Sequence, residues 1–114
     1  MEEKSIFIEF MGDSPTMRVM DYLLGVRGLD FSITDIADDS RIGRATLYRI
    51  WNNLIKNEIL VPTRRIGKAK LFKLNTSNPK IKKLAEIFDM IMIESLREVA
   101  AKQAEKKKAI VIKA

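Results

Sequence analysis

Residues 31–49 read FSITDIADDSRIGRATLYR, and this stretch predicts a short helix, a tight turn and a longer helix. Thr34 is a good N-cap for the short helix over residues 35–39, and acidic residues in its first turn suit the positive end of the helix dipole. Residues 40–43 form the turn. The longer helix runs over residues 44–57.

The helix over residues 44–57 has an apolar face and a polar, cationic face. Leu47, Ile50 and Leu54 recur at i, i+3 and i+7, and Trp51 adjoins them, so we expect all four to pack in the core. The other faces carry mostly polar side chains, namely Arg44, Thr46, Tyr48, Arg49, Asn52 and Asn53.

Upstream, Ser14 and Pro15 are a cap and a first-turn proline, and they predict a helix over residues 15–27. Residues 6–10, IFIEF, fit either a strand or a helix, because their apolar positions match both periods. The segment over residues 1–13 is therefore predicted as a strand or a short helix.

Downstream, residues 59–61 and 71–74 are short strand-like runs that flank a basic segment with Gly67 near its middle. This pattern predicts a hairpin with a charged tip. Pro62 cannot donate a ladder hydrogen bond, so it predicts an exposed edge or an irregular strand start.

A cap followed by Pro79 starts a last helix, predicted over residues 79–108. Its apolar side chains occupy more than one face, so it needs cover on several sides. Residues 109–114 are predicted as a tail, in which residues 109–112 could form a short strand that pairs with residues 6–10.

The charge of the chain is uneven. It carries 21 basic and 15 acidic residues, a net charge of +6. Residues 41–73 hold nine of the basic residues and a single acid, Glu58, whereas the remainder is slightly acidic. This concentration favours a surface that binds a polyanion over an ordinary solvated surface.

The composition restricts the chemistry. With no Cys and no His, the chain lacks thiolate nucleophiles, thiol redox sensing and the commonest general base and metal ligand. No Gly-rich phosphate loop or carboxylate motif takes their place. We therefore expect no enzyme activity, no metal and no cofactor. The longest apolar run, residues 90–93, cannot span a bilayer, and the acidic start is not a secretory signal, so we expect a soluble cytoplasmic protein.

The order of elements, helix, short helix, turn, longer helix and basic hairpin, is that of a winged helix-turn-helix. Residues 31–49 resemble the helix-turn-helix of MarR-like and ArsR-like bacterial and archaeal regulators, with the small Ala37 at the helix crossing and Leu47 as the apolar anchor. Residues 53–60, NLIKNEIL, resemble the end of the second helix leading into the first strand of the wing. The resemblance implies a DNA-binding domain over residues 14–75, in a fold that is mainly α with a small β-hairpin (α+β).

Three residues depart from the pattern of the family. Arg41 lies where the turn often has Gly, and Glu58 lies where a Gly commonly ends the second helix, so we expect a left-handed or altered backbone at these positions, at some energetic cost. Gly43 replaces the usual Ser or Thr cap, at a cost of a few tenths of a kcal/mol.

The resemblance implies that the N-terminal half of the second helix meets base edges in the major groove. Arg44 would offer two donors to a guanine, Ala45 or Thr46 would meet a thymine methyl, and Tyr48 would reach a phosphate or a base. The basic residues beside Gly67 would approach the backbone or minor groove, unless they merely protect an edge strand from aggregation. The predicted DNA-binding residues are Thr34, Arg41, Arg44, Ala45, Thr46, Tyr48, Arg49, Asn52, Arg64, Arg65, Lys68 and Lys70.

A second copy of the chain is the simplest cover for the last helix, which would then be a dimerisation helix. The alternative is a monomer in which helix 15–27 and the N-terminal segment cover it. The predicted interface residues are Leu84, Ile87, Phe88, Ile91, Met92, Leu96 and Val99.

The leading hypothesis is a homodimeric, sequence-specific regulator that binds double-stranded DNA, most simply a repressor. The alternatives are an architectural or plasmid-partition DNA-binding protein, and a winged-helix module that binds protein. No residue marks a pocket for a small-molecule effector, so whether one exists stays open.

Overall fold

The computed structural model describes the backbone of residues 4–113 and the side chains of residues 4–108. Five helices and three strands follow one another along this part of the chain. In order, they are α1 (Ile6–Met11), α2 (Pro15–Gly25), β1 (Phe31–Ser32), α3 (Ile33–Ser40), α4 (Arg44–Lys56), β2 (Leu60–Ile66), β3 (Ala69–Leu74) and α5 (Pro79–Lys113).

The N-terminal segment is helical, which decides between the two alternatives that the sequence left open. The Ser5 hydroxyl accepts a hydrogen bond from the Ile8 backbone N–H at 3.1 Å and caps α1. Phe7 and Ile8 are buried, whereas Phe10 is 71% exposed. The helix therefore buries one side and leaves apolar surface on another.

The predicted start of α2 is confirmed. The Ser14 hydroxyl accepts from the Met17 N–H at 3.1 Å, and Pro15 occupies the first turn, where its missing N–H costs no hydrogen bond. The helix ends at Gly25, two residues before the predicted end, and Gly28 follows with a φ of 93°.

The strand β1 was not predicted, and it changes the cap of α3. Phe31 pairs with Phe72 and Ser32 with Leu71 of β3, and the Ser32 hydroxyl accepts from the Asp35 N–H at 3.2 Å. Thr34 was therefore wrongly predicted as the cap. Ser32 has the extended backbone that both a strand residue and an N-cap need, whereas Thr34 lies within the first turn of α3.

The hairpin of β2 and β3, called the wing below, is longer than predicted. Its strands run to Ile66 and from Ala69, so Gly67, with a φ of 60°, and Lys68 form a two-residue turn. In the sheet order β1-β3-β2, the strand that contains Pro62 is an edge strand, as predicted. The register between β2 and β3 shifts between Pro62 and Arg65.

Two of the three departures from the family pattern, Arg41 and Glu58, have left-handed backbones. The φ of Arg41 is 58° at the end of α3, and the φ of Glu58 is 56° after α4. Arg18 of α2 donates from Nη1 to the carbonyl oxygen of Arg41 at 2.9 Å, which ties the turn between α3 and α4 to α2. Gly43 caps α4 without a side-chain hydrogen bond.

One hydrophobic core joins the helices to the sheet. Ala37 is fully buried and has the small side chain that a close crossing of α3 and α4 needs. Trp51 packs edge-on against Phe72 at 4.8 Å between ring centroids, which confirms its predicted place in the core. The other buried side chains of the cluster include Val19, Leu23, Leu24, Ile36, Leu47, Leu54, Leu60 and Leu74.

The first turns of α5 pack on this core, and the helix then continues beyond it. Phe88 contacts Phe7 at 5.3 Å between ring centroids, and Arg27 forms a two-point ion pair with Asp89, its shorter N–O distance being 2.6 Å. The helix has 35 residues and extends through Lys113, past the predicted end at residue 108. A strand over residues 109–112 that pairs with residues 6–10 is therefore contradicted, because both segments are helical; Ala114 lies outside the described residues.

Candidate nucleic-acid interface

The outer side of α4 is set by the residues that it buries. Leu47 and Leu54 are fully buried, and at helical spacing this directs the opposite side of α4 to solvent. Of the residues predicted to bind DNA, Thr46 is half-buried, and the following are exposed: Arg44, Ala45, Tyr48, Arg49 and Asn52.

The two arginines of this side have different surroundings. Arg49 donates from Nη2 to the Thr46 hydroxyl at 3.3 Å, so its guanidinium lies along the helix. Arg44, at the first position of α4, has no hydrogen bond or ion pair with the described side chains. Because Arg44 lies at the amino end of the helix, it is the α4 arginine best placed to reach a ligand there.

Two of the predicted residues precede α4. Thr34 is exposed in the first turn of α3, and Arg41 is exposed in the turn between α3 and α4. The carbonyl of Arg41 is engaged by Arg18, whose guanidinium also binds Asp13 at 2.8 Å and lowers the pKa of that carboxyl. The turn before α4 is thus held by polar contacts from α2.

The wing carries cations on both sides of its turn. The side chains of Arg65 and Lys68 are exposed and make no hydrogen bond or ion pair within residues 4–108. Lys70 is also exposed, and its Nζ lies 5.6 Å from the centroid of the Phe72 ring, in a cation–π contact.

Arg64 differs from the other wing cations because it is paired. It donates to Asp30 from Nε at 2.9 Å and from Nη2 at 3.2 Å, and the Thr63 hydroxyl donates to the same carboxylate at 2.6 Å. These hydrogen bonds, that of Arg64 first, lower the pKa of Asp30 to about 2.

Helix α4 and the wing are in contact at the ring of Phe72. Trp51, in the middle of α4, packs on Phe72, and Lys70 of the wing lies over the same ring. The cations of α4 and of the wing therefore belong to neighbouring elements. We call these side chains together the basic surface: Arg44, Arg49, Arg65, Lys68 and Lys70.

The predicted dimer-interface residues divide into three groups, which are buried, half-buried and exposed. Phe88 is 8% exposed and packs inside its own chain, where Phe7 of α1 covers the ring, so this side chain is buried without a second copy. Leu84, Ile91 and Met92 are half-buried against the core. Ile87, Leu96 and Val99 are exposed, and Leu96 is 69% exposed.

Three further exposed apolar side chains of the same two helices were absent from the prediction: Phe10 of α1, and Met90 and Ile93 of α5. The exposed positions of α5 recur every three residues, and such a row is inclined by about 45° to the helix axis, so it winds around α5 and does not stay on one face. The signal for Met90 and Ile93 was present in that spacing. We call this set the apolar surface: Phe10, Ile87, Met90, Ile93, Leu96 and Val99.

A cavity of about 660 Å³ lies between α1, α2, the end of α3 and Met92 of α5. Its lining combines apolar side chains with charges of both signs, including Lys4, Asp21 and Asp39. Burial and a 2.8 Å hydrogen bond to Asp39 raise the pKa of the Tyr22 hydroxyl beside it. The hydroxyl of Ser40, a residue that is 5% exposed, lines the cavity without a hydrogen-bond partner in the described structure.

Within the described part of the chain, no group of three or more His, Cys, Asp or Glu side chains is arranged to hold a metal ion. Among the same residues, no helix combines the length and apolar content needed to cross a membrane.

Solved structures share this architecture. MepR, a transcription regulator of the Staphylococcus aureus multidrug efflux pump MepA, matches with a TM-score of 0.57 and 20% identity over 93% of this chain and 79% of MepR. The chain has the winged-helix fold. The fold class predicted from the sequence, a winged helix-turn-helix with a small hairpin and a long C-terminal helix, is therefore confirmed.

Two further winged-helix structures are similar. NadR in complex with 4-hydroxyphenylacetate matches with a TM-score of 0.60 and 18% identity, over 93% of this chain and 77% of NadR. A single-residue variant of S. aureus MepR bound to an oligodeoxyribonucleotide matches with a TM-score of 0.58 and 18% identity, over 95% of this chain and 80% of that one. No protein-family model and no curated protein matches the sequence.

Proposed function

We propose that this chain is a homodimeric, sequence-specific transcription regulator that binds double-stranded DNA in the cytoplasm, most simply a repressor that occludes a promoter. The N-terminal half of α4 enters the major groove, whose width of about 12 Å admits one helix. The wing contacts the neighbouring backbone or minor groove.

The observation that carries this proposal is the basic surface itself. Residues 41–73 contain nine basic residues and one acid, and these residues form α4 and the wing, which meet at Phe72. Arg44, Arg65 and Lys68 are exposed and make no contact with acids in the described structure, so their charge is available to DNA. The similarity to a DNA-bound MepR variant adds support at the level of fold.

The apolar surface supports the homodimer. It combines exposed side chains of α1 and α5 on a helix that extends past the core of its own chain. A two-fold dimer through this surface would bury these side chains and would present two copies of α4 to successive major grooves, about 34 Å apart.

The DNA-binding role is tested by measuring affinity for a palindromic fragment and for random DNA at several salt concentrations. Arg44→Ala should cost about 1–3 kcal/mol of binding free energy and should reduce the preference for the palindrome, because Arg44 meets a base. Lys68→Ala should weaken binding to all sequences alike and lower the salt dependence, because Lys68 meets phosphate. If each variant lost equal affinity for the palindrome and for random DNA, Arg44 would not be a residue that reads a base.

Two other outcomes would replace the proposal. Many dimers bound along one fragment would favour an architectural or plasmid-partition protein. Undetectable DNA binding by the unmodified protein at low salt would favour a protein-interaction module.

The dimer is tested separately, by analytical ultracentrifugation of Met90→Asp/Leu96→Asp. Burying two carboxylates in an apolar contact is unfavourable, so this variant should sediment as a monomer of 13.1 kDa while the unmodified protein sediments as a dimer. Lys102→Asp, at an exposed polar position of the same helix, is the control for added negative charge and should stay dimeric. A monomeric unmodified protein would exclude the proposed homodimer.

A further inference from the structure

The carboxylate of Asp30 binds two consecutive residues of the wing. Asp30 accepts one hydrogen bond from Thr63 and two from Arg64, at 2.6, 2.9 and 3.2 Å, and its own side chain is 18% exposed. Two parallel N–H···O bonds from one guanidinium fix its direction as well as its distance. The carboxylate therefore holds both residues in one defined geometry.

Asp30 is itself fixed by the sheet. It immediately precedes β1, whose Phe31 pairs with Phe72 of the central strand β3. The carboxylate is therefore anchored to the strand on the far side of β3 from β2. Through its side chain, it connects one edge of the sheet to the other.

The residues that Asp30 holds are those at which the wing loses its regular pairing. The register of β2 against β3 shifts between Pro62 and Arg65, so Thr63 and Arg64 lie at the irregularity. A bulge re-aims the side chains of the strand that contains it, and β2 is an edge strand with no further strand to support it. The hydrogen bonds to Asp30 supply that support.

The ion pair with Asp30 also gives the adjacent Arg64 and Arg65 different roles. The charge of Arg64 is compensated by Asp30, whereas the side chain of Arg65 has no hydrogen bond or ion pair within residues 4–108. A paired guanidinium releases no additional counterion unless it first leaves its carboxylate.

We propose that Asp30 is a positioning residue for the wing: it fixes the irregularity at Thr63 and Arg64, so that Arg65, and not Arg64, contacts DNA. This inference rests on the proposed DNA-binding function. Arg64 was itself predicted from the sequence to bind DNA, and the proposal gives it a structural role instead.

The titration of Asp30 agrees with this geometry. Its hydrogen bonds to Arg64 and Thr63 lower the pKa from its ordinary value to about 2. A lowered carboxyl pKa means that the anchor contributes fully above the unfolded value near 3.8 and is lost as the pH falls through about 2. The anchor is therefore intact at neutral pH.

The test compares the salt dependence of DNA binding for variants of the two arginines. Arg65→Ala should lower the slope of log affinity against log salt by about one per protomer, because one phosphate contact is lost. Arg64→Ala should weaken binding about two- to fivefold, the range of an exposed ion pair, with the slope unchanged. Asp30→Asn should give the same loss, and the double variant should be no weaker than either single one.

Lysine variants distinguish the two roles more sharply. Arg64→Lys keeps the charge but loses the two-point hydrogen bonding, so it should not restore the binding lost in Arg64→Ala. Arg65→Lys should retain the slope. If Arg64→Lys restores binding, or if Arg64→Ala lowers the slope by about one, Arg64 is a phosphate contact and the proposal is overturned.

A measurement without DNA separates this proposal from the proposed function. Amide hydrogen exchange over residues 63–70 of the free protein should become at least severalfold faster in Asp30→Asn, while amides of α2 stay unchanged and report that the variant is folded. Unchanged exchange rates in the wing would show that Asp30 does not hold Thr63 and Arg64 in place, and would overturn the proposal. Failure of the unmodified protein to bind DNA would remove the proposed function instead, with the exchange result still deciding the anchor.

Discussion

The basic surface and the apolar surface are both exposed, yet salt affects their interactions differently. The attraction between the cations of α4 and the wing and a polyanion is screened by salt over about 10 Å at 0.1 M. Association through the apolar side chains of α1 and α5 is driven by removing them from water and has no such screening. The difference means that the two proposed partners, DNA and a second copy of the chain, are separable by ionic strength.

Salt should therefore produce the largest effect. The wing residues Arg65, Lys68 and Lys70, which pair with no acid in the described structure, supply six cations in a dimer, and six to ten phosphate contacts correspond to an affinity loss of about 10³ to 10⁵ between 50 and 200 mM salt. Fluorescence anisotropy with a labelled duplex measures this loss. Sedimentation over the same range should show an unchanged dimer; dissociation of the dimer together with salt-independent DNA binding would reverse the assignment of the two surfaces.

The next largest effect distinguishes two kinds of residue on α5, those in the core and those on the apolar surface. Phe88→Ala should lower the free energy of unfolding by about 3–5 kcal/mol, because it leaves a cavity against Phe7 in the core. Leu96→Ala removes a side chain that its own chain leaves exposed, so its effect should be small in dilute protein and should grow with protein concentration. Urea unfolding at two protein concentrations measures both.

A concentration-dependent loss for Phe88→Ala equal to that for Leu96→Ala would contradict this division. Phe88 would then belong to the surface between two copies, as the sequence had predicted.

The smallest effect separates backbone strain from charge in the basic segment. Glu58 has a left-handed backbone, which costs a non-glycine residue roughly 1 kcal/mol, so Glu58→Gly should raise the unfolding midpoint by a few degrees. Glu58→Gln removes the same charge and keeps the strain, so it should leave the midpoint near that of the unmodified protein. Calorimetry of the three proteins checks this, and equal midpoints for the two variants would show that charge dominates.

Local sequence signals predicted much of this fold. Ser14 and Pro15 start α2 as predicted, because a cap and a first-turn proline satisfy backbone requirements within a few residues. The left-handed backbones of Arg41 and Glu58 agreed with the prediction for the same reason, since the family pattern places glycine there. The cap of α3 was mistaken because two neighbouring residues, Ser32 and Thr34, can each cap a helix, and pairing with β3 selects the first.

The candidate site was predicted less completely than the fold. Charge along the chain indicated the exposed cations of α4 and the wing, because charged side chains remain in water wherever helical spacing leaves them. The pairing of Arg64 joins residues that are 34 positions apart, and no local pattern marks Asp30 as its partner. The division of α5 into buried Phe88 and exposed Leu96 likewise depends on where Phe7 lies.

By itself, the sequence determined the order of the principal helices, the position of the wing and the segment that carries the excess positive charge. These depend on periodicity, capping and turn residues, whose energies act over a few neighbours. The tertiary structure decided which cations are already paired, which apolar side chains of α5 its own chain covers, and how the strand β1 forms. Each of these depends on contacts between distant segments, and their free energies exist only once the chain has folded.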